Sequence, residues 1–438
     1  MEYLPNIIFA VILAIGVGYF TRNIKKLIRN IKLGQDFDAS DNTSLRWKNV
    51  VNIALGQSKM VKRPVSGFLH VIVYVGFIII NIEVLEIIID GLFGTHRIGQ
   101  HYLPTSLYGF LIGSFEILAV LVLVSVIVFW IRRNVIKVKR FLSSEMKGWP
   151  KSDGNIILYF EVVLMCLFLV MNATDTSFQS IASGNVVSQF IAPWFDGFSD
   201  RTLHAIESTA WWFHIIGILI FLNYLYYSKH LHILLAFPNV YFGSVEPKGK
   251  FNNLEAVTAE VKLMMDPDAD PYAVPAETAE DEVPAKFGAS DVMDLNQIQL
   301  LNAYTCTECG RCTSACPANL TGKKLSPRKI MMDTRDRLEE VGKNIDLNKG
   351  KFVDDGKQLL GDYITNEELW ACTTCNACVE ECPVSINPLS IIMDMRRYLV
   401  MEQSAAPMEL NNMMTNIENN GAPWPYNQMD RLNWKDED

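Results

Sequence analysis

Apolar residues are concentrated in five long runs within the first 245 positions of the chain. The runs cover roughly 4–21, 66–90, 105–131, 154–172 and 204–228. Because a helix needs about 20 apolar residues to cross the hydrocarbon core of a bilayer, each run predicts a transmembrane helix. The first run has no basic segment before it and no small-residue cleavage site after it, which favours a retained span over a signal peptide.

The connections between these runs differ in basic charge. Connections 22–65 and 132–153 carry ten and seven Lys and Arg residues, whereas 91–104 and 173–203 carry one each. Basic connections tend to stay on the cytoplasmic side of a membrane. The pattern therefore predicts a multi-pass membrane protein, with the N-terminus outside and everything after the fifth run in the cytoplasm.

The second half of the chain has the composition of a water-soluble region. After a membrane domain at 1–245, residues 246–290 are acidic and rich in Pro and Ala and predict a linker. A compact domain is expected at 291–400. It is followed by a tail at 401–438, for which we expect contact with a partner. The net charge of −9 and the absence of a basic stripe argue against nucleic-acid binding.

Eight of the nine cysteines fall into two copies of one motif, C-x2-C-x2-C-x3-C-P. This spacing is typical of [4Fe–4S] ferredoxins, in which the fourth cysteine of each motif binds the other cluster. It predicts one cluster on Cys306, Cys309, Cys312 and Cys382, and a second on Cys372, Cys375, Cys378 and Cys316. Structural zinc also uses paired C-x2-C units, so a membrane-anchored zinc-binding adaptor is the alternative. A cytoplasmic location argues against disulfides.

The segments around the motifs predict helices. Ser326 followed by Pro327 predicts a helix start, because Ser caps helix N-termini and Pro suits the first turn. The segment NPLSIIMDMRRYLVMEQ, 387–403, is expected to form a second helix. The predicted fold class is an all-α membrane domain with five transmembrane helices, followed by a mainly α-helical two-[4Fe–4S] ferredoxin-like domain.

Histidines occur only outside the cysteine domain. An ionisable residue in a span is a functional candidate, and neutral imidazole is a common ligand of haem iron. His70 and His232 lie at the same predicted depth, near the cytoplasmic side, and predict a haem with two histidine ligands. His230 is the competing ligand, and an interfacial anchor is the alternative for both His230 and His232. Gly67 and Gly76 are expected to leave room for the flat macrocycle.

A second haem is an open alternative at His214. This residue lies eighteen positions before His232, roughly 27 Å along one continuous helix at 1.5 Å per residue. The facing positions of the second run, 78–81, hold three isoleucines and an asparagine, which are not usual haem ligands. Farther along that run, Glu83 is either a surface acid or a proton relay.

The two cysteine segments, AYTCTECGRCTSACPANLTGKKLSPRKI and ELWACTTCNACVEECPVSINPLSIIMDMRRYL, resemble membrane-bound iron–sulfur proteins related to the C subunit of heterodisulfide reductase. The membrane part, with RPVSGFLH and YYSKHLHIL, is similar to the gamma subunit of respiratory nitrate reductase, a five-span cytochrome b. In that family two haems are held by histidines of the second and fifth spans. The resemblance implies haem ligands at His70, His214 and His232, with an isoleucine near position 80 where the fourth ligand would lie.

The resemblance also implies partners and a function. Many family members continue into cysteine-rich CCG domains, which implies a catalytic partner chain like the B subunit of heterodisulfide reductase. Some relatives take electrons from electron-transfer flavoprotein. We therefore expect an oxidoreductase subunit of a quinone complex in the bacterial cytoplasmic (inner) membrane. It would pass electrons between a cytoplasmic redox partner, two [4Fe–4S] clusters, haem b and quinone. A small transporter is disfavoured, because the five runs show no internal repeat.

Overall fold

The computed structural model describes residues 3–247, 249–268 and 286–436, and these residues form helices joined by turns. In these ranges, extended pairing is limited to two isolated bridges, Gln35 with Asn296 and Leu360 with Ile364. Five of the helices are long and apolar enough to cross a membrane, and shorter helices follow them. The predicted all-α fold class is therefore confirmed.

The described part of the first 247 residues contains ten α-helices. They are α1 Leu4–Ile31, α2 Thr43–Asn49, α3 Pro64–Phe93, α4 Ile98–Tyr102, α5 Thr105–Asn134, α6 Trp149–Thr174, α7 Thr176–Ile181, α8 Ser188–Ile191, α9 Asp200–Tyr224 and α10 His232–Phe242. The long helices α1, α3, α5, α6 and α9 are the five predicted spans, and each extends beyond its apolar run at one end or both. Pro64 suits the first turn of α3, and Gly94, at φ 73°, ends it.

The five long helices pack as a closed ring. Each of α3, α5, α6 and α9 contacts the next, and α1 closes the ring between α9 and α3. Side chains such as Phe115, Phe168 and Ile215 are almost fully buried inside it. A Cβ atom on Gly76 would lie 2.5 Å from Cγ2 of Val122, so this glycine lets α3 approach α5 closely.

The fifth span is interrupted before the last two histidines, and the prediction of one continuous helix from His214 to His232 is wrong. Helix α9 ends at Tyr224 and a 3-10 turn continues to Tyr227. Ser228 is then extended, at φ −114° and ψ 146°, and its hydroxyl accepts a hydrogen bond from the N–H of His230. This cap starts a new turn, so His232 is the first residue of a separate helix, α10.

The rest of the described chain contains nine shorter α-helices. They are α11 Glu255–Met265, α12 Gln297–Thr305, α13 Arg311–Ala315, α14 Pro317–Leu320, α15 Pro327–Leu347, α16 Asn366–Trp370, α17 Ala377–Glu381, α18 Pro388–Met401 and α19 Met408–Asn420. Both predicted helices, α15 and α18, are present. Ser326 caps α15 by accepting a hydrogen bond from the N–H of Lys329 at 3.4 Å.

The membrane helices and the cysteine region share one hydrophobic core. Leu27 of α1, Phe221 of α9 and Leu231 belong to the same cluster of buried side chains as Leu300 of α12 and Ile330 of α15. Polar contacts cross the same junction, including Asn30 Nδ2 donating to the Tyr304 hydroxyl at 2.9 Å. The cysteine region therefore lies directly against one end of the helix ring, which we call the junction end.

Two predicted boundary segments are partly described. Helix α11 lies inside the predicted linker 246–290, whereas residues 269–285 of its acidic stretch lie outside the described residues. In the tail, α19 is followed by a 3-10 segment at Gln428–Lys435. Large apolar side chains of the tail are exposed, among them Trp424, Met429 and Trp434.

Candidate functional site

The two cysteine motifs adopt the same local backbone conformation. Helix α13 starts after Gly310 at φ 70°, and α17 starts after Asn376 at φ 59°. Each short helix ends at an extended cysteine, Cys316 or Cys382, which precedes a proline. Glycine and asparagine tolerate the left-handed conformation better than other residues, which explains why each motif can turn sharply between its second and third cysteines.

The structure brings together the four cysteines predicted for the first cluster. One cavity is lined by Cys306, Cys309, Cys312 and Cys382, so the fourth cysteine of the second motif faces the first loop. Cys378 also lines this cavity. Burial raises the pKa of Cys382 to about 11, and the nearby Cys309 adds to the effect.

The second set is also close together. Cys316, from the first motif, lies near Cys372 and Cys378. Burial, followed by the proximity of these thiols, raises the pKa of Cys378 to about 12. Thiols with such pKa values stay protonated near neutral pH, so binding of a metal cluster has to displace their protons.

The two sets differ in exposure at one cysteine and receive similar hydrogen bonds. Cys375 of the second set is exposed, whereas each set contains two buried cysteines: Cys306 and Cys382 in the first, Cys316 and Cys378 in the second. The backbone N–H of Ile386 donates to Sγ of Cys382 at 3.3 Å, and that of Thr374 donates to Sγ of Cys372 at 3.4 Å. Hydrogen bonds to sulfur and solvent exposure are two of the factors that tune cluster potentials.

Buried arginines surround the first cavity, and sequence reasoning did not identify them. Arg328 has no exposed surface, lines the cavity, and donates through Nη2 to Glu145 Oε1 at 2.6 Å. Its Nε has no hydrogen-bond partner among the described residues. Arg311, inside the motif itself, donates to the carbonyl oxygens of Lys59 and Met60, each at 3.1 Å. These cations suit a cluster whose four thiolates make it anionic.

A buried ion-pair chain joins the first cysteine loop to the end of the fifth span. Glu308 contacts Nζ of Lys229 and accepts a hydrogen bond from Nη1 of Arg335 at 2.9 Å. Burial alone would raise the pKa of Glu308, but Lys229 and Arg335 outweigh it and hold that pKa below its ordinary value. Its contacts with Lys229 and Arg335 therefore favour the charged form of Glu308. The only sequence signal for Glu308 is its position inside the cysteine motif. No local pattern predicts its partner Lys229, because that residue is distant in the chain.

His70 and His232 face each other at the junction end. Their ring centroids are 6.4 Å apart, with 42° between the ring planes. Two imidazoles that bind one iron atom, at about 2 Å per bond, have centroids about 6 Å apart, so the spacing fits. Nδ1 of His232 lies 3.2 Å from the carbonyl oxygen of Lys229, which leaves Nε2 for a metal. Burial lowers the pKa of His232, which favours the neutral, iron-binding form.

The other residues around the His70–His232 pair do not all fit the predicted haem site. Nδ1 of His70 is buried and has no hydrogen-bond partner among the described residues, so this ring lacks the orienting contact that His232 has. His230 packs against the rings of Phe221 and His232, each with centroids 5.4 Å apart. A Cβ on Gly67 would lie 2.7 Å from Cα of Val61. Gly67 and Gly76 thus make room for protein neighbours, and not for the macrocycle that the sequence suggested.

His214 lies in a different environment. It is 2% exposed, and its Nδ1 is 3.0 Å from the carbonyl oxygen of Leu164 in α6. Its ring contacts Phe168, with centroids 6.2 Å apart. In the described part of the chain, no ring contact joins His214 to a second histidine, so only the first histidine pair is brought together.

A cavity lined by several charged side chains lies at the end of the ring opposite the junction. Its volume is about 160 Å³, and its lining includes Glu83, Arg97, Asp175 and Trp212. Nε of Arg97 donates to Asp175 at 2.7 Å. Glu83 is 3% exposed, and its Oε2 has no partner among the described residues. Glu83 is therefore a buried acid facing a cavity, and the interpretation as a surface acid is wrong.

Comparison with known proteins relates the chain to redox proteins. Residues 305–386 match the family described as "4Fe-4S dicluster domain". The chain is 30% identical to the "Probable iron-sulfur-binding oxidoreductase FadF" of Bacillus subtilis (strain 168). The match includes 98% of this chain and 61% of that protein. It is 26% identical, over 88% of its length, to the "EtfAB:quinone oxidoreductase" of Syntrophomonas wolfei and covers 53% of it.

A shorter match reaches a further group of proteins. Over 27% of the chain, identity is 31% to the C subunit of the ferredoxin/F(420)H(2)-dependent CoB-CoM heterodisulfide reductase of Methanosarcina acetivorans, 60% of which is covered. No solved structure matches the chain. The chain thus spans between half and two thirds of the length of these relatives. It is a homologue of iron–sulfur oxidoreductases, including heterodisulfide reductase subunits, and carries a 4Fe–4S dicluster domain.

Proposed function

We propose that this chain is the electron-transfer part of a membrane quinone oxidoreductase complex. Single electrons pass between a soluble partner and membrane quinone by way of two [4Fe–4S] clusters on the eight motif cysteines and a haem b on His70 and His232. The observation that carries the proposal is that the first cysteine loop contacts the segment leading into α3, the helix of His70, and also contacts Lys229, which precedes His230 and His232.

Two contacts make this junction. Arg311 donates to the carbonyls of Lys59 and Met60, in the segment that leads into α3 and His70. Glu308 pairs with Lys229, which immediately precedes His230. The two anchoring residues flank Cys309 in sequence, so this corner of the first cluster is held between the two segments. Electron exchange requires the two redox centres to lie close together, and these contacts hold the first cysteine loop near the predicted haem ligands.

Two observations on the described residues support the proposed haem at His70 and His232. When bound, a haem adds a one-electron carrier at this position. The chain contributes two imidazoles at the spacing of a shared iron atom and a carbonyl that orients one of them. The likeness of RPVSGFLH and YYSKHLHIL to the nitrate reductase gamma subunit supports the same pair. A second haem at His214 has no such support in the described residues.

The exposure of the cysteines suggests an order for the two clusters. Cys375 is exposed to solvent, whereas the cavity of Cys306, Cys309 and Cys312 lies beside the membrane helices. We therefore place the exchange with a soluble partner at the second cluster and the exchange with haem at the first. The direction of flow depends on the potentials of the two partners.

Contacts at the junction end support the predicted orientation. Lys26 of α1 pairs with Asp346, and Arg63, just before α3, pairs with Glu381. The Arg140 carbonyl, after α5, accepts a hydrogen bond from Arg328. The basic connections thus meet the cysteine region at one end of the ring. By the positive-inside rule we assign this end to the cytoplasm of a bacterial cell, with residues 291–400 as a cytoplasmic domain after membrane domain 1–245.

Relatives suggest the partners. One relative is named for electron-transfer flavoprotein and quinone, and others are named as parts of heterodisulfide reductase. We propose membrane quinone as the membrane-side substrate and electron-transfer flavoprotein as the candidate soluble donor. A CCG-domain chain like the B subunit of heterodisulfide reductase is the candidate catalytic partner. The exposed apolar side chains of the tail, 401–438, are a suitable surface for such a chain.

The test is a cofactor measurement on the purified full-length chain. Metal and haem content, optical spectra and EPR spectra are recorded before and after reduction with dithionite. We expect about eight non-haem iron atoms per chain, two interacting cluster signals and a Soret band that sharpens on reduction. A chain that holds zinc and no iron would contradict the proposal and support the adaptor. Clusters without haem would retain a ferredoxin role and exclude the route to haem.

A further inference from the structure

Four charged side chains form a buried chain between the cysteine region and the end of the fifth span. Lys229 lies at its centre, where Nζ contacts Glu308 and lies 3.7 Å from Asp153 Oδ2. The same Nζ donates to the carbonyl of Pro150 at 2.7 Å. Arg335 pairs with the second oxygen of Glu308 at 2.9 Å. Two cations therefore face two anions across the junction.

The burial of this chain is unusual for charged groups. Glu308 and Asp153 are each 2% exposed, and the side chain of Lys229 is 9% exposed. Burying an ion is costly unless it is paired and hydrogen-bonded, and buried pairs often stabilise a fold no more than apolar side chains of similar size. Glu308 also sits at φ 55°, a conformation that disfavours a bulky side chain. Stability alone does not explain a carboxylate here.

The position of the pair does suggest a role. Glu308 lies between Cys306 and Cys309, and Lys229 is followed directly by the segment that carries His230 and His232. The carbonyl of Lys229 is also the group that contacts Nδ1 of His232 at 3.2 Å. One ion pair therefore links a cysteine loop to the backbone that orients a predicted haem ligand.

We propose that Glu308 and Lys229 are positioning residues for electron exchange between the first cluster and the haem, an inference that rests on the proposed function. Their ion pair holds the Cys306–Cys312 loop against the His230–His232 segment and keeps the spacing of the two centres constant. The exchange moves one electron from a reduced iron centre to an oxidised one. No bond forms or breaks, and no proton needs to move.

The signs of the two charges provide a readout that a purely structural contact would not give. A negative charge near a cluster opposes its reduction, and a positive charge favours it. Removing the charge of Glu308 should therefore raise the midpoint potential of the first cluster, whereas removing that of Lys229 should lower it. The loss of the pair should slow the exchange in both variants, because both loosen the same junction.

The experiment compares Glu308→Gln and Lys229→Gln in the full-length chain with its cofactors. The matched control is Asp346→Asn, which breaks another ion pair between a membrane helix and the cysteine region, that of Asp346 with Lys26 and Arg29, away from the cysteine loops. Cluster potentials are measured by EPR-monitored titration, and haem reduction is followed optically after rapid reduction of the clusters. Hydrogen exchange of residues 228–232 reports on the junction without relying on the cofactors.

We expect opposite shifts of the cluster potential in the two variants and faster hydrogen exchange at 228–232 in both. Haem reduction should slow by about tenfold, because rates of reaction fall steeply when the reacting centres are misplaced. Asp346→Asn should change none of these. If hydrogen exchange at 228–232 and the rate of haem reduction are both unchanged in the two variants, the inference is overturned while the proposed function stands. A wild-type chain without haem would overturn both. If Glu308→Gln fails to fold, two variants of Lys229 decide the test. Lys229→Arg keeps the ion pair and should reduce the haem at the wild-type rate, whereas Lys229→Gln should reduce it more slowly.

Discussion

At the scale of single residues, the fourth cysteine of each motif is separated from the first three. Cys382 follows α17 in an extended conformation and lines the cavity formed by the first motif. Cys316 does the same after α13 and lies near Cys372 and Cys378. Each fourth cysteine is extended and immediately precedes a proline, and each lies near cysteines of the other motif.

This arrangement leads to a prediction on ligand exchange. Cys382→Ser should damage the cluster predicted on Cys306, Cys309 and Cys312, and Cys316→Ser should damage the other, because each removes a thiol from the neighbouring set. EPR spectra of the reduced chain, which distinguish the two clusters, check this. Cys166→Ser, in α6, is the control and should change neither signal. Damage by Cys382→Ser that is confined to the Cys372 cluster would refute the crossed pairing.

The histidines allow a second prediction at this scale. His70→Ala and His232→Ala should each abolish the same haem signal, because each would remove one of the two imidazoles proposed to hold the haem. His204→Ala, exposed at the far end of the ring, is the control and should retain the spectrum. The Soret band and haem content per chain are the measurements. Loss of haem in His230→Ala with retention in His232→Ala would transfer the ligand role to His230.

At the scale of helices, close approach between neighbours depends on a few glycines. Gly76 lets α3 lie against Val122 of α5. A Cβ atom on Gly217 of α9 would lie 2.9 Å from Cδ2 of Leu164 in α6, so this glycine also permits close approach. Gly18 of α1, in contrast, has open space around it. In a bilayer, small residues at helix interfaces permit the van der Waals contacts that hold a bundle together.

The third prediction follows from this contrast. Gly76→Ala should destabilise the helix ring by about 1–3 kcal/mol, because the new methyl group overlaps Val122 and the two helices have to separate. Gly18→Ala should be neutral or slightly stabilising, because Ala suits a helix better than Gly. Denaturant unfolding of the detergent-solubilised protein measures the difference. Equal midpoints for the two variants would show that α3 and α5 are not packed this closely.

At the scale of the whole molecule, the membrane helices and the cysteine region form one unit. Their common core contains side chains of α1, α6 and α9 together with those of α12 and α15. Charged contacts at the junction, such as Arg328 with Glu145, are buried on the arginine side. Relative motion of the two halves would expose these groups, so the distance between the predicted cofactors is set by the fold and not by a flexible tether.

The fourth prediction concerns the orientation of this unit. A reporter fused after Met401 should be active in the cytoplasm, and one inserted near Gly184 should be active outside it, because the 17 basic residues of two connections oppose only two on the other side. Paired enzymatic reporters, each active in one compartment only, measure this. The reverse pattern would place the clusters outside the cell and exclude a cytoplasmic electron partner.

Much of this architecture was determined by the sequence alone, because the signals are local. The five spans were predicted from apolar runs, since the length of a bilayer-crossing helix depends on the bilayer and not on neighbouring helices. The start of α15 was predicted from Ser326 and Pro327, because helix caps involve residues only a few positions apart. The motif spacing identified the kind of cluster for the same reason, and the match of residues 305–386 to a 4Fe–4S dicluster domain agrees with it.

Other features were decided only by the tertiary structure, because they depend on residues far apart in the chain. Lys229 and Glu308 are separated by 79 positions, and no local pattern predicts their pairing. The same holds for Arg328, whose partner Glu145 lies 183 positions away, and for Gly67, which makes room for the backbone of residues 60 and 61. The break at Ser228 escaped prediction because the apolar run continues up to it. The helix restarts there as α10, which packs against α12 of the cysteine region.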